Sequence, residues 1–103
     1  MKKEAFVYIL TNYHHTVLYT GVTSNLSLRL QQHKTGSFKG AFTSKYNATQ
    51  LVYYEHFESI EDAIRREKQI KAGSRQRKIE LINRLNPDWK DLSEKYDDKT
   101  QCD

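Results

Sequence analysis

The side chains in this sequence whose types could do chemistry are Tyr8 and Tyr19, Arg29 and His33, Glu67, and Asn86. Two phenols are brought together if the runs Phe6–Leu10 and Leu18–Val22 pair as a hairpin. A loop centred on Tyr13 and His14 places Leu10 opposite Val17 and Tyr8 opposite Tyr19, with both phenols on one face. A cation and an imidazole follow: Arg29 and His33 are four apart in a helical stretch, in the same sector as Leu26 and Leu30. Glu67 falls in the apolar stripe of a later helix. A carboxylate there requires a cation, hydrogen-bond donors or a metal, because an unpaired buried charge is costly and would otherwise neutralise. Packing alone explains a cross-strand tyrosine pair, and a Glu67–Arg29 ion pair closing the core edge explains the carboxylate. Any one of these features has a structural explanation; Arg29, His33 and Glu67 all pointing inward beneath two tyrosines do not.

The elements that must position these groups can be read in order. The two opening runs are short, apolar, β-branched and aromatic, as strands are. Thr23 and Ser24 offer capping hydroxyls for a helix over Asn25–Lys34, ended by Thr35-Gly36, with Leu28 pointing away from the inner face. Gly36–Asn47 reads as a loop with one short helical turn near Ala41–Lys45. Gln50–Phe57 is a third strand with Leu51, Tyr53 and Glu55 on one side and Val52, Tyr54 and His56 on the other. Its two apolar faces predict a central or sandwiched position.

Ser59, with Asp62 three residues on, opens a helix from Ile60 to Ala72 that Gly73 stops. Ile60, Ala63, Ile64 and Glu67 form its inner sector. Ser74 caps a last helix, Arg75–Leu85, with Ile79, Ile82 and Leu85 inward. Pro87 ends it and leaves Asn86 at a fixed exit. Trp89 and Leu92 should pack back as a clasp, and residues 93–103 form a disordered tail. The fold class is therefore α/β of the α+β kind, a small three-stranded antiparallel sheet flanked by helices in the order β-β-α-(short α)-β-α-α.

Composition sets the bounds. A chain of 103 residues fits one domain, read as residues 1–92. Hydrophobic residues at 37% can build a modest core, while 29% charged residues describe a soluble protein, and the Ala5–Leu10 run is too short for a membrane span. The net charge of +4 suits a polyanionic partner. A single cysteine, Cys102, permits neither an intrachain disulfide nor a cysteine-based zinc site, and fits a reducing cytoplasm. No export signal is present, since the Ala5–Leu10 run is too short for one.

The order of these residues resembles the GIY-YIG nuclease family, above all its small single-domain bacterial members. Val7-Tyr8-Ile9 stands for the first triplet and Tyr19-Thr20-Gly21 for the second. They are followed by Leu26-Ser27-Leu28-Arg29-Leu30-Gln31-Gln32-His33, Ala63-Ile64-Arg65-Arg66-Glu67-Lys68 and Asn86-Pro87-Asp88-Trp89. Two departures stand out: Val7 replaces the first glycine, and Val22 occupies a position that is lysine in some members. The resemblance implies a metal-dependent endonuclease (a phosphodiester hydrolase) with Tyr8, Tyr19, Arg29, His33, Glu67 and Asn86 as catalytic residues. Glu67 would ligate one ion, Mg²⁺ or Mn²⁺.

On that pattern Arg29 holds a non-bridging phosphate oxygen, Tyr19 takes the proton of the attacking water, and Tyr8 or His33 supplies a hydrogen bond. The reverse assignment of the tyrosines, and His33 as the base, stay open. Asn86 would position Glu67 or the phosphate. Lys34, Lys39, Lys45, Arg65, Arg66, Lys68, Lys71, Arg75, Arg77 and Lys78 are the candidates for phosphate-backbone contact. The sequence carries no base-reading module, so the implied partner is branched, damaged or single-stranded DNA in repair or recombination, with a partner protein as a further source of specificity. The alternative is a non-catalytic nucleic-acid-binding module on the same fold.

Overall fold

A computed structural model describes residues 4–35 and 46–93. The expected helical turn near Ala41–Lys45, the cations Lys39 and Lys45, and the tail from Glu94 onward lie outside the described residues. Strands β1 (Ala5–Thr11), β2 (Leu18–Thr23) and β3 (Gln50–Phe57) form one antiparallel sheet in the order β2-β1-β3. Helices α1 (Leu26–Thr35), α2 (Ile60–Ala72) and α3 (Arg75–Leu85) complete the α+β fold.

The hairpin register differs from the expected one. Asn12 accepts from the backbone N–H of Thr16 (2.8 Å) and of Val17 (3.2 Å) through Oδ1, and donates to Thr16 Oγ1 through Nδ2 at 2.7 Å. His15 turns the chain with a φ of 57°. The loop is thus centred between His14 and His15, so Leu10 faces Tyr19 and Tyr8 faces Gly21. A strand slipped by one residue would have sent its side chains to the wrong face. A two-residue change of partner keeps Tyr8 and Tyr19 on one face as diagonal neighbours.

Of the two positions expected for β3, central or sandwiched, the structure has the second: β1 is the central strand, and β3 lies at an edge but is buried on both faces. Between the pairs Ile9–Tyr53 and Leu10–Leu51 the register shifts, and Val52 is the extra residue of a bulge. Leu51 therefore shares its face with Tyr54, while Val52 packs with Tyr53. Strict alternation cannot anticipate that switch. The segment after α3 covers this part of the edge: Leu92 N–H donates to Leu51 O at 2.7 Å, and Asp91 Oδ1 accepts from Leu51 N–H at 3.1 Å.

The sheet separates two packed regions. On one face Ala5, Val7 and Ile9 meet Ala63, Ile70 and Ile82 of α2 and α3, with Trp89 at the margin. On the other, Tyr8 and Leu10 meet Leu26 and Leu30 of α1, with Leu92 closing the side. Leu85 and Ile64 are exposed rather than inward, and Leu81 packs against the core instead. Leu28 is exposed as expected.

Local chemistry sets the helix starts. Ser59 and Ser74 cap α2 and α3, accepting from the N–H of Asp62 and Arg77. For α1 the cap is Asn25, whose Oδ1 accepts from Leu28 N–H at 3.1 Å. Thr23 instead orients Asn25 by accepting its N–H. Ser93, expected to begin the tail, is buried and accepts from Lys34 Nζ at 2.9 Å.

Candidate active site

Tyr8 issues from the middle of the central strand and its side chain is fully buried. The ring lies close against Gly21: a Cβ built there would meet Tyr8 Oη at 2.5 Å and Cζ at 2.6 Å. The glycine of the second triplet is therefore a space requirement, created by the register that places Tyr8 opposite it. Tyr19, one diagonal step away, has its ring centroid 6.3 Å from that of Tyr8.

His33 enters from α1, held inward because Leu26 and Leu30 bury the same side of that helix. Its Nε2 lies 3.3 Å from Tyr8 Oη, and its ring stands at 6.1 Å from Tyr8 and 5.8 Å from Tyr19. Arg29, one turn earlier, is a hydrogen-bonding neighbour of the Tyr8 hydroxyl. Glu67 reaches the same neighbourhood from α2, close enough for its charge to act on Tyr8. Its side chain is only 13% exposed, and Lys71 one turn along places Nζ 2.6 Å from Oε2.

These surroundings polarise the titratable groups. Burial above all, with the neighbouring Tyr19, pushes the Tyr8 phenol well above its ordinary range, against the opposing influence of Arg29. Tyr8 keeps its proton at neutral pH. Burial, and then the Arg29 cation, pull His33 below the usual imidazole value, so His33 is neutral under the same conditions.

Tyr8, Tyr19, Arg29 and His33 are thus brought together, with Glu67 near enough for its charge to act on Tyr8. Asn86 is not joined to them by any hydrogen bond among the described residues. Its Nδ2 donates to Val52 O (3.2 Å) and Lys90 O (2.7 Å), and its Oδ1 accepts from Lys90 N–H at 3.0 Å. Both amide donors are used, and they fasten the chain exit to the β3 bulge.

The candidate phosphate-contact residues divide in the same way. Arg65 pairs with Asp62, Arg66 with Glu55 and Gln69, and Lys71 with Glu67. Arg75 donates to His15 O, Lys78 to Gly73 O, and Lys34 to Ser93. Lys68 is exposed, and Arg77 lines a cleft between α2 and α3. Sequence reasoning missed the Tyr53–Glu55–Arg66 cluster on the other face of the sheet, in which Tyr53 Oη donates to Glu55. The signal was available: Tyr53 and Glu55 share a strand face.

Among the described residues no group of three or more His, Cys, Asp or Glu side chains could hold a metal ion. A cation at this cluster would rely on the carboxylate of Glu67. A lone carboxylate completed by water and substrate phosphate oxygens is a donor set suited to a hard divalent ion such as Mg²⁺.

Residues 4–80 match the GIY-YIG catalytic domain, a span that contains all five converging side chains and ends before Asn86. The chain is 40% identical over 83 residues to a UPF0213 protein of Syntrophus aciditrophicus, covering 81% of this chain and 93% of that one. It is 46% identical over 66 residues to a UPF0213 protein of Staphylococcus haemolyticus, covering 63% and 78%. The solution structure of a UPF0213 protein from Bacillus halodurans is similar at a TM-score of 0.55 and 28% identity, over 85% of this chain and 92% of that one. A domain match across most of the chain, on a sheet that gathers the two triplet tyrosines with an arginine, a histidine and a glutamate, places this protein in the GIY-YIG family, whose domain points to a nuclease-type function.

Proposed function

We propose that this protein is a divalent-metal-dependent endonuclease that hydrolyses phosphodiester bonds of DNA, with weak sequence specificity, in repair or recombination. The observation that carries the reading is the Tyr8–His33 hydrogen bond inside a cluster that Arg29 and Glu67 both reach. Phosphodiester hydrolysis needs an activated water, counter-charge for the pentavalent oxyanion, and help for the leaving oxygen.

Arg29 offers a planar fork of donors to a non-bridging phosphate oxygen. Tyr8, buried and protonated, serves as a donor that orients the phosphate or the nucleophile, and is not the base. Tyr19, half-buried and therefore open to a substrate water, takes the proton, with neutral His33 as its neighbour. Glu67 would hold the metal, which when bound would supply Lewis-acid stabilisation of the phosphate and a lowered pKa for water. Lys71 sits on a flexible stem and is 52% exposed, so it can yield the carboxylate to the ion. Asn86 contributes by fixing the β3 edge.

The test is incubation of purified protein with supercoiled plasmid, a four-way junction and single-stranded DNA, with Mg²⁺, with Mn²⁺ and with chelator, beside Arg29→Ala. The expected result is metal-dependent cutting that falls at least about 100-fold in the variant, as for loss of a transition-state charge donor. Wild-type protein that retards DNA in a gel yet cuts none of these substrates would establish the binding-module alternative.

A further inference from the structure

Between α2 and α3 lies a cleft of about 480 Å³ that shares none of its lining with the tyrosine cluster. Four cations border it, Arg66, Arg77, Lys78 and Arg84, against one carboxylate, Glu80. Two of the cations are held in place. Arg66 is fixed by Glu55 and Gln69, and Lys78 by the Gly73 carbonyl. Arg77 and Arg84 are exposed, and no ion pair among the described residues engages either one.

We infer that this cleft binds the phosphodiester backbone of a nucleic-acid strand other than the one presented to the tyrosine cluster. The inference rests on the nucleic-acid reading above and adds a second contact to it. Three of the four cations are arginines, whose forked donors match phosphate oxygens better than a point charge does. Arg77 and Arg84 are two turns apart on α3, a separation of roughly 10 Å at about 1.5 Å per residue. That spacing spans about three nucleotides of a strand rising about 3.4 Å each, which suits an extended polyanion better than a single small anion.

The location separates this strand from the scissile one. At about 100° per residue, Glu67 and Lys71 lie on one flank of the buried stripe of α2, and Arg66, Gln69 and Gly73 lie on the other. A helix about 10 Å wide therefore stands between a phosphate in the cleft and one at Glu67. The second strand comes either from the opposite side of the same duplex or from another arm of a branched molecule, and the chemistry of the contact is the same for both.

The experiment is anisotropy titration of a fluorescent linear duplex and of a four-way junction, in chelator, between about 50 and 200 mM salt. It compares wild type, R77Q/R84Q and R77K/R84K, with circular dichroism confirming that each variant is folded. Each lost phosphate contact lowers the slope of log K against log salt by about 0.9, so R77Q/R84Q should lose about 1.8 while R77K/R84K keeps the wild-type slope. Loss on the duplex and junction together identifies the opposite strand of one duplex, and loss on the junction alone identifies a second arm. A wild-type slope for R77Q/R84Q on both probes, or no binding of either by wild type, overturns the inference. Because chelator removes cleavage from the readout, a protein that never cuts DNA but shows the slope change would sink the nuclease reading and leave this one standing.

Discussion

A phenol, an arginine and a carboxylate are grouped twice in this molecule, around Tyr53 and around Tyr8, and the two groupings differ in kind. On the face toward α2 and α3, Tyr53 donates to Glu55, Glu55 accepts from Arg66 at 3.0 Å, and Arg66 donates onward to Gln69 at 2.8 Å. That chain of bonds satisfies the phenol and the carboxylate from within, and burial with the neighbouring carboxylate pushes the Tyr53 phenol up to about 12. On the face toward α1, Tyr8 meets His33 and Arg29, while Glu67 is held by a lysine that solvent already reaches. Residue types alone therefore do not make a site. The Tyr8 cluster has a neutral imidazole and a carboxylate whose lysine partner can be displaced, and the Tyr53 triad, which satisfies its own phenol and carboxylate, has neither.

The sharpest way to break this contrast is through the two glycines that border the helices and sheet. Gly21→Ala forces a methyl into the Tyr8 ring, and should cost about 1–3 kcal/mol by overpacking while displacing the hydroxyl and abolishing cleavage. Gly73→Ala meets its nearest atoms at 3.4 and 3.5 Å with φ at −79°, and should stay within about 0.5 kcal/mol of wild type. Urea midpoints measure both. An unaltered Gly21→Ala protein would mean that Tyr8 does not lie on that glycine.

Asn86→Ala comes next. It removes the bonds that fasten Val52 O and Lys90 to the chain exit, at about 2 kcal/mol. Cleavage per folded molecule should survive, and its loss at full folding would restore Asn86 to the chemistry. Smaller still is Tyr53→Phe, expected to cost about 1 kcal/mol for one hydrogen bond with cleavage intact. Tyr8→Phe should cost a similar amount of stability yet lower the cutting rate.

The smallest effect is on pH dependence. His33 binds its proton less tightly folded than unfolded, so its contribution to stability is full above the unfolded value of about 6.5 and is lost as pH falls below it. Tyr8 acts on the alkaline side: raised by burial, it stabilises the fold below the unfolded value of about 10, and that contribution goes as pH climbs past it. The acid arm should flatten in His33→Gln when urea midpoints at pH 5 and pH 7 are compared.

Much of this arrangement was legible in the sequence where a local period or a cap governed it. Leu26, Leu30 and His33 share a helical sector, and Ser59 and Ser74 announce their helices, because those signals act over three or four residues. What escaped depends on longer-range geometry. Asn12 sets the hairpin register by bonding to Thr16 and Val17, a choice that loop length alone does not reveal. The Val52 bulge breaks alternation at one residue, and an apolar pattern reports covered faces without reporting strand order, so it could not tell a central β3 from the sandwiched edge strand that the structure has. Glu55 and Arg66 are eleven residues apart on different elements, beyond the reach of any periodic signal.

Whether the Tyr8 cluster is the reactive one is decided by nicking of supercoiled plasmid in Mg²⁺ with Glu67→Gln and Glu55→Gln side by side. The two substitutions make the same chemical change in the two clusters. The expected result is a wild-type protein that nicks, Glu67→Gln that does not, and Glu55→Gln that nicks at the wild-type rate. Equal losses in the two variants, or undiminished nicking by Glu67→Gln, would contradict the assignment.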